Sequence, residues 1–203
     1  MVADFDLLTA WRGGDKSAGS ELFERHFESL RRFFRTKAPV NEVEDLVQRT
    51  LLACLESVAN FRAEAKFRTY LFTIARRELY GFIERRTRDK IGKGLEQSVG
   101  SIRDLGISPS RAALANEEQT LIAEAMSNLP VDAQVTLELY YWEQIRGPEL
   151  AEVLGISPAT VRTRLHRARA ALREALQHVR FGALDEARLD ESVSKLGAQL
   201  SRC

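Results

Sequence analysis

The chain has 203 residues, 44% of them hydrophobic, which is enough for one or two small cores. Its 30 lysines and arginines nearly cancel 29 aspartates and glutamates. A net charge of +1 therefore says nothing against nucleic acid if the charges are segregated along the chain. The two cysteines, Cys54 and Cys203, lie at no zinc or disulfide spacing. The sequence offers no metal cluster, no P-loop and no nucleophile–base pair, so neither a metal, a cofactor, a catalytic residue nor an enzyme is expected. No apolar run approaches the roughly 18 residues of a membrane span. The start, MVADFDLLTAW, lacks a basic leader. A cytoplasmic protein in a reducing compartment is the expectation, with no membrane insertion.

Helical periodicity dominates and hairpin signals are absent, which predicts an all-α fold. Asp4–Trp11 reads as a first short helix, stopped by Gly13 and Gly14. The next runs from Lys16 to Lys37 and ends before Pro39, with Leu22, Phe23, His26, Phe27, Leu30, Phe33 and Phe34 on one side. His26 has no ligand partner at metal spacing, so it reads as packing. Asn41 is expected to cap a third helix, Glu42–Val58, whose inner face includes Leu51, Cys54 and Leu55. The outer face shows Glu44, Asp45, Gln48 and Arg49. Acids in a first turn favour the helix dipole, which alone accounts for some of them.

Phe61–Phe67 leads into a helix over Arg68–Arg88, with Tyr70, Leu71, Ile74, Ala75, Leu79, Phe82 and Ile83 as its inner stripe. Arg62, Lys66, Arg68, Arg76 and Arg77 belong to its positive side. Aromatic rings among cations can stack unpaired bases and hold phosphates. The same pattern serves a core with a solvated face equally well. Asp89–Asn116 is rich in glycine, serine and proline and reads as a mobile linker, with a short helical piece at Pro109–Ala115. Beyond it, Leu121–Leu129 and Val131–Trp142 are helical, separated by Pro130.

Pro148–Arg173 carries the most specific pattern. Leu150, Ala151 and Leu154 mark one short helix, and Val161, Leu165, Ala168 and Leu172 a second. Between them stands Gly155-Ile156-Ser157, with a glycine suited to a left-handed helix end, a serine N-cap and a proline at the first helical position. Two helices joined by so short a turn cross steeply, as in a helix-turn-helix. The second helix is expected to turn Arg162, Thr163, Arg164, His166, Arg167 and Arg169 away from its apolar stripe, as a reader of a major groove requires. The tail repeats Leu189, Val193, Leu196 and Leu200 at helical spacing. It could dock on its own domain, pair with a partner helix, or fray.

These motifs together resemble bacterial sigma factors of the extracytoplasmic-function (ECF) type, over about Leu7–Arg88 and Asn116–Leu176. The resemblance rests on Glu44-Asp45-Leu46-Val47-Gln48, on Phe61–Leu71 with Ile74-Ala75-Arg76, on Leu129-Pro130, and on Gly155–Arg169. It implies a region 2-like domain at 1–90, a linker at 91–115, a region 4-like helix-turn-helix domain at 116–180 and an extension at 181–203. It implies core RNA polymerase and promoter DNA as partners, and admits an anti-sigma factor. Glu44, Asp45 and Gln48 would bind the polymerase. Arg62, Lys66, Phe67, Tyr70, Arg76 and Arg77 would engage the opened minus-ten element, with Arg62–Lys66 in the loop that captures a flipped base. Ser157, Ala159, Thr160, Arg162, Thr163, Arg164 and Arg167 would read the minus-thirty-five duplex. Arg162 is the best candidate for a bidentate guanine contact, and Arg164 and Arg167 for phosphate. The family usually has an acid at Arg49, tryptophan at Tyr70, asparagine at Arg77 and often aspartate at Gly81. Two other readings are a stand-alone helix-turn-helix regulator and a sigma-like adaptor or decoy.

Overall fold

The structure, a computed structural model, describes residues 3–58, 66–91, 100–103, 106, 117–178 and 186–200. Among them run nine helices: α1 Asp4–Arg12, α2 Lys16–Arg35, α3 Val40–Ser57, α4 Phe67–Ile91, α5 Glu117–Ser127, α6 Val131–Tyr141, α7 Gly147–Leu154, α8 Pro158–His178 and α9 Glu186–Leu200. The all-α expectation holds. The one bridge of extended backbone among the described residues pairs Ser101 with Pro130.

Asp15 starts α2 by accepting the backbone N–H groups of Ser17 (2.9 Å) and Ala18 (3.3 Å). The start of α3 differs from expectation. Pro39, in extended backbone, stands at the cap, and its carbonyl accepts the Glu42 N–H at 2.9 Å. Asn41 already lies inside the helix, and its amide points at Glu42 rather than at the open turn.

α1 lies on α2 because Gly19 lets it. A Cβ at Gly19 would fall 2.8 Å from the Trp11 indole. Trp11 meets Phe23 edge-on at 5.0 Å, and His26 Nε2 lies 2.6 Å from Asp4 Oδ2. Burial pushes the His26 pKa down from 6.5, against the opposing hydrogen bond from Asp4. Burial would raise Asp4, but its hydrogen bonds with His26 and Arg25 hold the carboxyl below 3.8. A neutral imidazole donating Nε2–H to an ionised Asp4 satisfies both shifts. A lowered histidine pKa means that the folded state binds fewer protons than the unfolded one. Its stabilising contribution is then complete above 6.5 and is lost as pH falls through the lowered value. We expect α1 to loosen over that interval, before Asp4 is protonated. Amide exchange at Leu7, Leu8 and Trp11 should accelerate there, and His26→Gln should remove the step.

The core of α1–α4 continues into the second half. Leu22, Leu30, Phe33, Phe34, Leu71, Phe72 and Leu79 share one apolar cluster with Val131, Val135, Leu139, Leu150, Leu154 and Val161 from the second half. α4 is buried on two sides, against α3 on one and α7 on the other. Ile102 is fully buried in this cluster, so at least Ser101–Ile102 of the expected mobile linker is seated. The helical piece expected at 109–115 lies outside the described residues. A second cluster joins α5, α6, α8 and α9 through Ile122, Met126, Leu137, Leu165, Leu172, Leu189, Val193 and Leu196. The four tail residues Leu189, Val193, Leu196 and Leu200 are all buried. Docking is thus the outcome for the tail.

Charged groups cross between the halves in buried positions. Lys37, just past α2, is fully buried and its ammonium bonds the Glu138 carboxylate of α6. Glu143, 2% exposed, bonds both Arg32 of α2 and Arg68 of α4.

Candidate nucleic-acid interface

Three surfaces carry the candidate residues. On α3, Glu44, Asp45, Gln48 and Arg49 all face solvent. Arg31 Nε lies 3.1 Å from Glu44, and Arg49 lies 2.8 Å from Asp45 one turn away. The Arg49 charge is therefore shared within its own helix. Leu52 and Leu55 continue this face and are 56% and 50% exposed. That corrects the expectation for Leu55. The inner side of α3 is already filled by Val43, Leu46, Val47, Thr50 and Cys54, leaving Leu55 on the outward arc.

On α4 the expectations divide. Arg62 lies outside the described residues. Phe67 is 2% exposed, wedged among His26 (5.4 Å), Phe23 (6.4 Å), Tyr70 (6.4 Å) and Trp11 (6.5 Å). In this arrangement it cannot stack on a base; its place at the start of α4 points it into the gap between α1 and α2. Tyr70 is half-buried, with its hydroxyl 2.5 Å from Ser57 Oγ, and burial raises its phenol pKa. Arg76 stacks on the Tyr80 ring at 4.6 Å, and Arg77 is exposed.

The cations of α4 meet acids of the second half. Lys66 Nζ lies 2.8 Å from Glu149 of α7, and Arg68 bonds Glu143. Tyr80 bonds Asp132 at the start of α6, whose other oxygen is 3.3 Å from Arg164. Arg76 reaches the helix-turn-helix turn, 3.8 Å from where a Cβ of Gly155 would stand. Three acids absent from the sequence-based expectations thus tie this segment to the second half: Glu149 through Lys66, Glu143 through Arg68 and Asp132 through the Tyr80 hydroxyl. Each lies at a helix start or turn, where it looks like a capping residue; only the tertiary packing reveals its partner.

The glycine end of the turn is as expected. Gly155 adopts φ +66°, and the Gly155 and Ile156 N–H groups bond the Glu152 and Ala151 carbonyls. Ser157 precedes α8, its hydroxyl 2.7 Å from Thr160 Oγ1. Val161, Leu165, Ala168 and Leu172 are buried, which leaves Ser157, Ala159, Thr160, Arg162, Thr163, His166 and Arg167 exposed in a row. Arg164 is half-buried on Asp132. Arg169 departs from the expected outward surface. Its Nε donates to Tyr141 Oη at 2.6 Å, and Asp190 of α9 lies 3.4 Å away.

Two family profiles match this chain: sigma-70 region 2 over residues 22–89, and sigma-70 region 4 over residues 119–172. The chain belongs to the sigma-70 family, as a sigma factor of the ECF type. It is 26% identical to an ECF RNA polymerase sigma-E factor of Haemophilus influenzae, over 87% of this chain and 97% of that one. It is 28% identical to an RNA polymerase sigma-H factor of Pseudomonas aeruginosa, over 86% and 94%. A probable RNA polymerase sigma factor RfaY of Xanthomonas campestris is 35% identical, over 66% of this chain but only 34% of that longer relative. Among solved structures, CnrH in complex with the cytosolic domain of CnrY has the same fold, with a TM-score of 0.63, 24% identity and coverage of 87% and 99%. In this sigma factor α2–α4 thus coincide largely with region 2, and α5–α8 with region 4. α1 and α9 lie beyond both matched ranges.

Proposed function

We propose that this sigma factor binds core RNA polymerase and directs it to promoters of defined sequence. It would work as a non-enzymatic specificity subunit in the cytoplasm. The observation that carries the reading is the exposed row Ser157–Arg167 on a helix-turn-helix whose chain also contains a region 2. Residues 1–90 would bind polymerase through Glu44, Asp45 and Gln48 and open the minus-ten element. Arg62, Lys66, Tyr70, Arg76 and Arg77 would flank the displaced strand, and Phe67 would support Tyr70 from beneath. Residues 116–180, tethered through 91–115, would read the minus-thirty-five duplex through Ser157, Ala159, Thr160, Arg162 and Thr163. Arg164 and Arg167 would hold phosphate. Since relatives of this fold were solved with CnrY and with the anti-sigma factor NepR, an anti-sigma factor is a fitting further partner here.

Promoter-dependent run-off transcription with purified core polymerase tests this. A transcript that requires both promoter elements is expected. Arg162→Ala should relax the preference at a single minus-thirty-five position, by about 1–3 kcal/mol of discrimination. A complex without transcript would favour the adaptor reading. Tight duplex binding by the protein alone would favour a stand-alone regulator.

A further inference from the structure

α9 touches both halves of the molecule. Its buried face, Leu189, Val193, Leu196 and Leu200, completes the second core against α5 and α6. Its middle is fitted to one side chain: Trp142 Nε1 donates to the Val193 carbonyl at 2.9 Å, and a Cβ on Gly197 would fall 2.2 Å from Trp142 Cδ1. Its last turn reaches the first half. Arg32 of α2 donates to the Gly197 carbonyl at 3.5 Å, and Arg35 of α2 donates to the Leu200 carbonyl. Two guanidinium groups at the last turn of a helix donate to its carbonyls and favour its dipole. Arg32 is the same residue that holds Glu143, and through it Arg68.

We propose that α9 is an intramolecular latch that holds the region 2 and region 4 halves closed and so keeps Lys66 and Arg68 engaged by Glu149 and Glu143. Release of α9 removes the carbonyl acceptors of Arg32 and Arg35 and the cover over Trp142, shifting the equilibrium toward separated halves with the α4 cations available. The consequence for transcription rests on the function proposed above; the latch itself does not.

The test uses the full chain carrying Glu24→Cys and Ala170→Cys for distance labels, in a Cys203→Ser background. Both label positions are exposed, one on α2 and one on α8. Cys54 stays unlabelled, because burial pushes its thiol pKa up to about 12. Gly197→Leu collides with Trp142; Leu200→Lys places a like charge beside Arg35 in the cleft that Met126, Trp142 and Leu196 also line. Both variants are expected to speed amide exchange in α9 and to lengthen the label separation. Adding a peptide of the sequence EARLDESVSKLGAQL should shorten it again. Association with core polymerase should rise about tenfold, within the usual range of coupling between two sites. Accelerated exchange in α9 with an unchanged separation in both variants would overturn the latch, leaving α9 a passenger on the second half. Full protection of α9 in both variants would overturn it too, since its docking would then not depend on these contacts. If the separation lengthens and neither protein supports run-off, the latch stands and the promoter reading fails.

Discussion

Removing either partner of the Lys37–Glu138 pair should open the two halves, and removing both should not. The pair joins the end of α2 to α6, with both side chains fully buried. Thr36 Oγ1 and Gln134 Nε2 also donate to Glu138, each at 2.9 Å. A buried charge without its partner costs about 3–5 kcal/mol, whereas an apolar replacement of both partners is often neutral or stabilising by about 1–4 kcal/mol. Each half retains many other contacts, so the cost falls chiefly on their association. The pH dependence separates the two single variants. Burial raises Glu138 above its ordinary 4.5 even with Lys37 beside it. In Lys37→Met the closed form therefore binds a proton more readily than the open form. Closure is complete below 4.5 and weakens as pH rises through the raised value. Burial lowers Lys37 below its ordinary 10.5. In Glu138→Leu closure is complete above 10.5 and weakens as pH falls through the lowered value. Small-angle scattering across pH reads this directly. Opening of Lys37→Met reversed by acid, opening of Glu138→Leu reversed by base, and a closed, pH-indifferent Lys37→Met/Glu138→Leu double variant are the expected results. A double variant as open as the singles would mean that the pair does not hold the halves together.

The helices and the helix-turn-helix were legible in the sequence because their signals are local. Gly155 needs a left-handed conformation, and the stripe Val161, Leu165, Ala168, Leu172 has one period, so neighbours along the chain settle both. What escaped is what depends on a second element. Phe67 looks like a base-stacking ring until α1 and α2 enclose it. Arg169 looks outward until Tyr141 and Asp190 turn it in. The linker divides the sequence into two helical domains. Yet Val131, Leu150 and Val161 complete the core of the first half, and an apolar residue at helical spacing does not say which core it fills. Lys37 and Glu138 are the clearest case. Each alone reads as a solvated charge, and only their meeting across the interface accounts for their burial.

Leu52→Asp and Leu55→Asp should each weaken polymerase binding at least about 30-fold with little effect on stability. At 56% and 50% exposure these leucines already stand in water, so a carboxylate there removes little buried apolar contact and should change folding by less than about 0.5 kcal/mol. They continue the α3 face that presents Asp45 and Gln48. An apolar pair beside polar groups has the composition of an interface centre with its rim. In such a centre a few side chains carry most of the binding energy, about 2–4 kcal/mol each on truncation, and a buried charge without a partner costs at least as much. The acids at Glu44 and Asp45 are already shared with Arg31 and Arg49 and lie in higher dielectric. Asp45→Ala should accordingly shift affinity by only about 1 kcal/mol or less and act mainly on the association rate and its salt dependence. The leucine variants should act on dissociation, at every ionic strength. Surface binding kinetics against immobilised core polymerase, alongside urea unfolding of each variant, separates these effects. Unfolding midpoints near wild type with dissociation at least about 30-fold faster would place the centre of the interface at Leu52 and Leu55. Unchanged dissociation would place it elsewhere and leave α3 as an electrostatic guide.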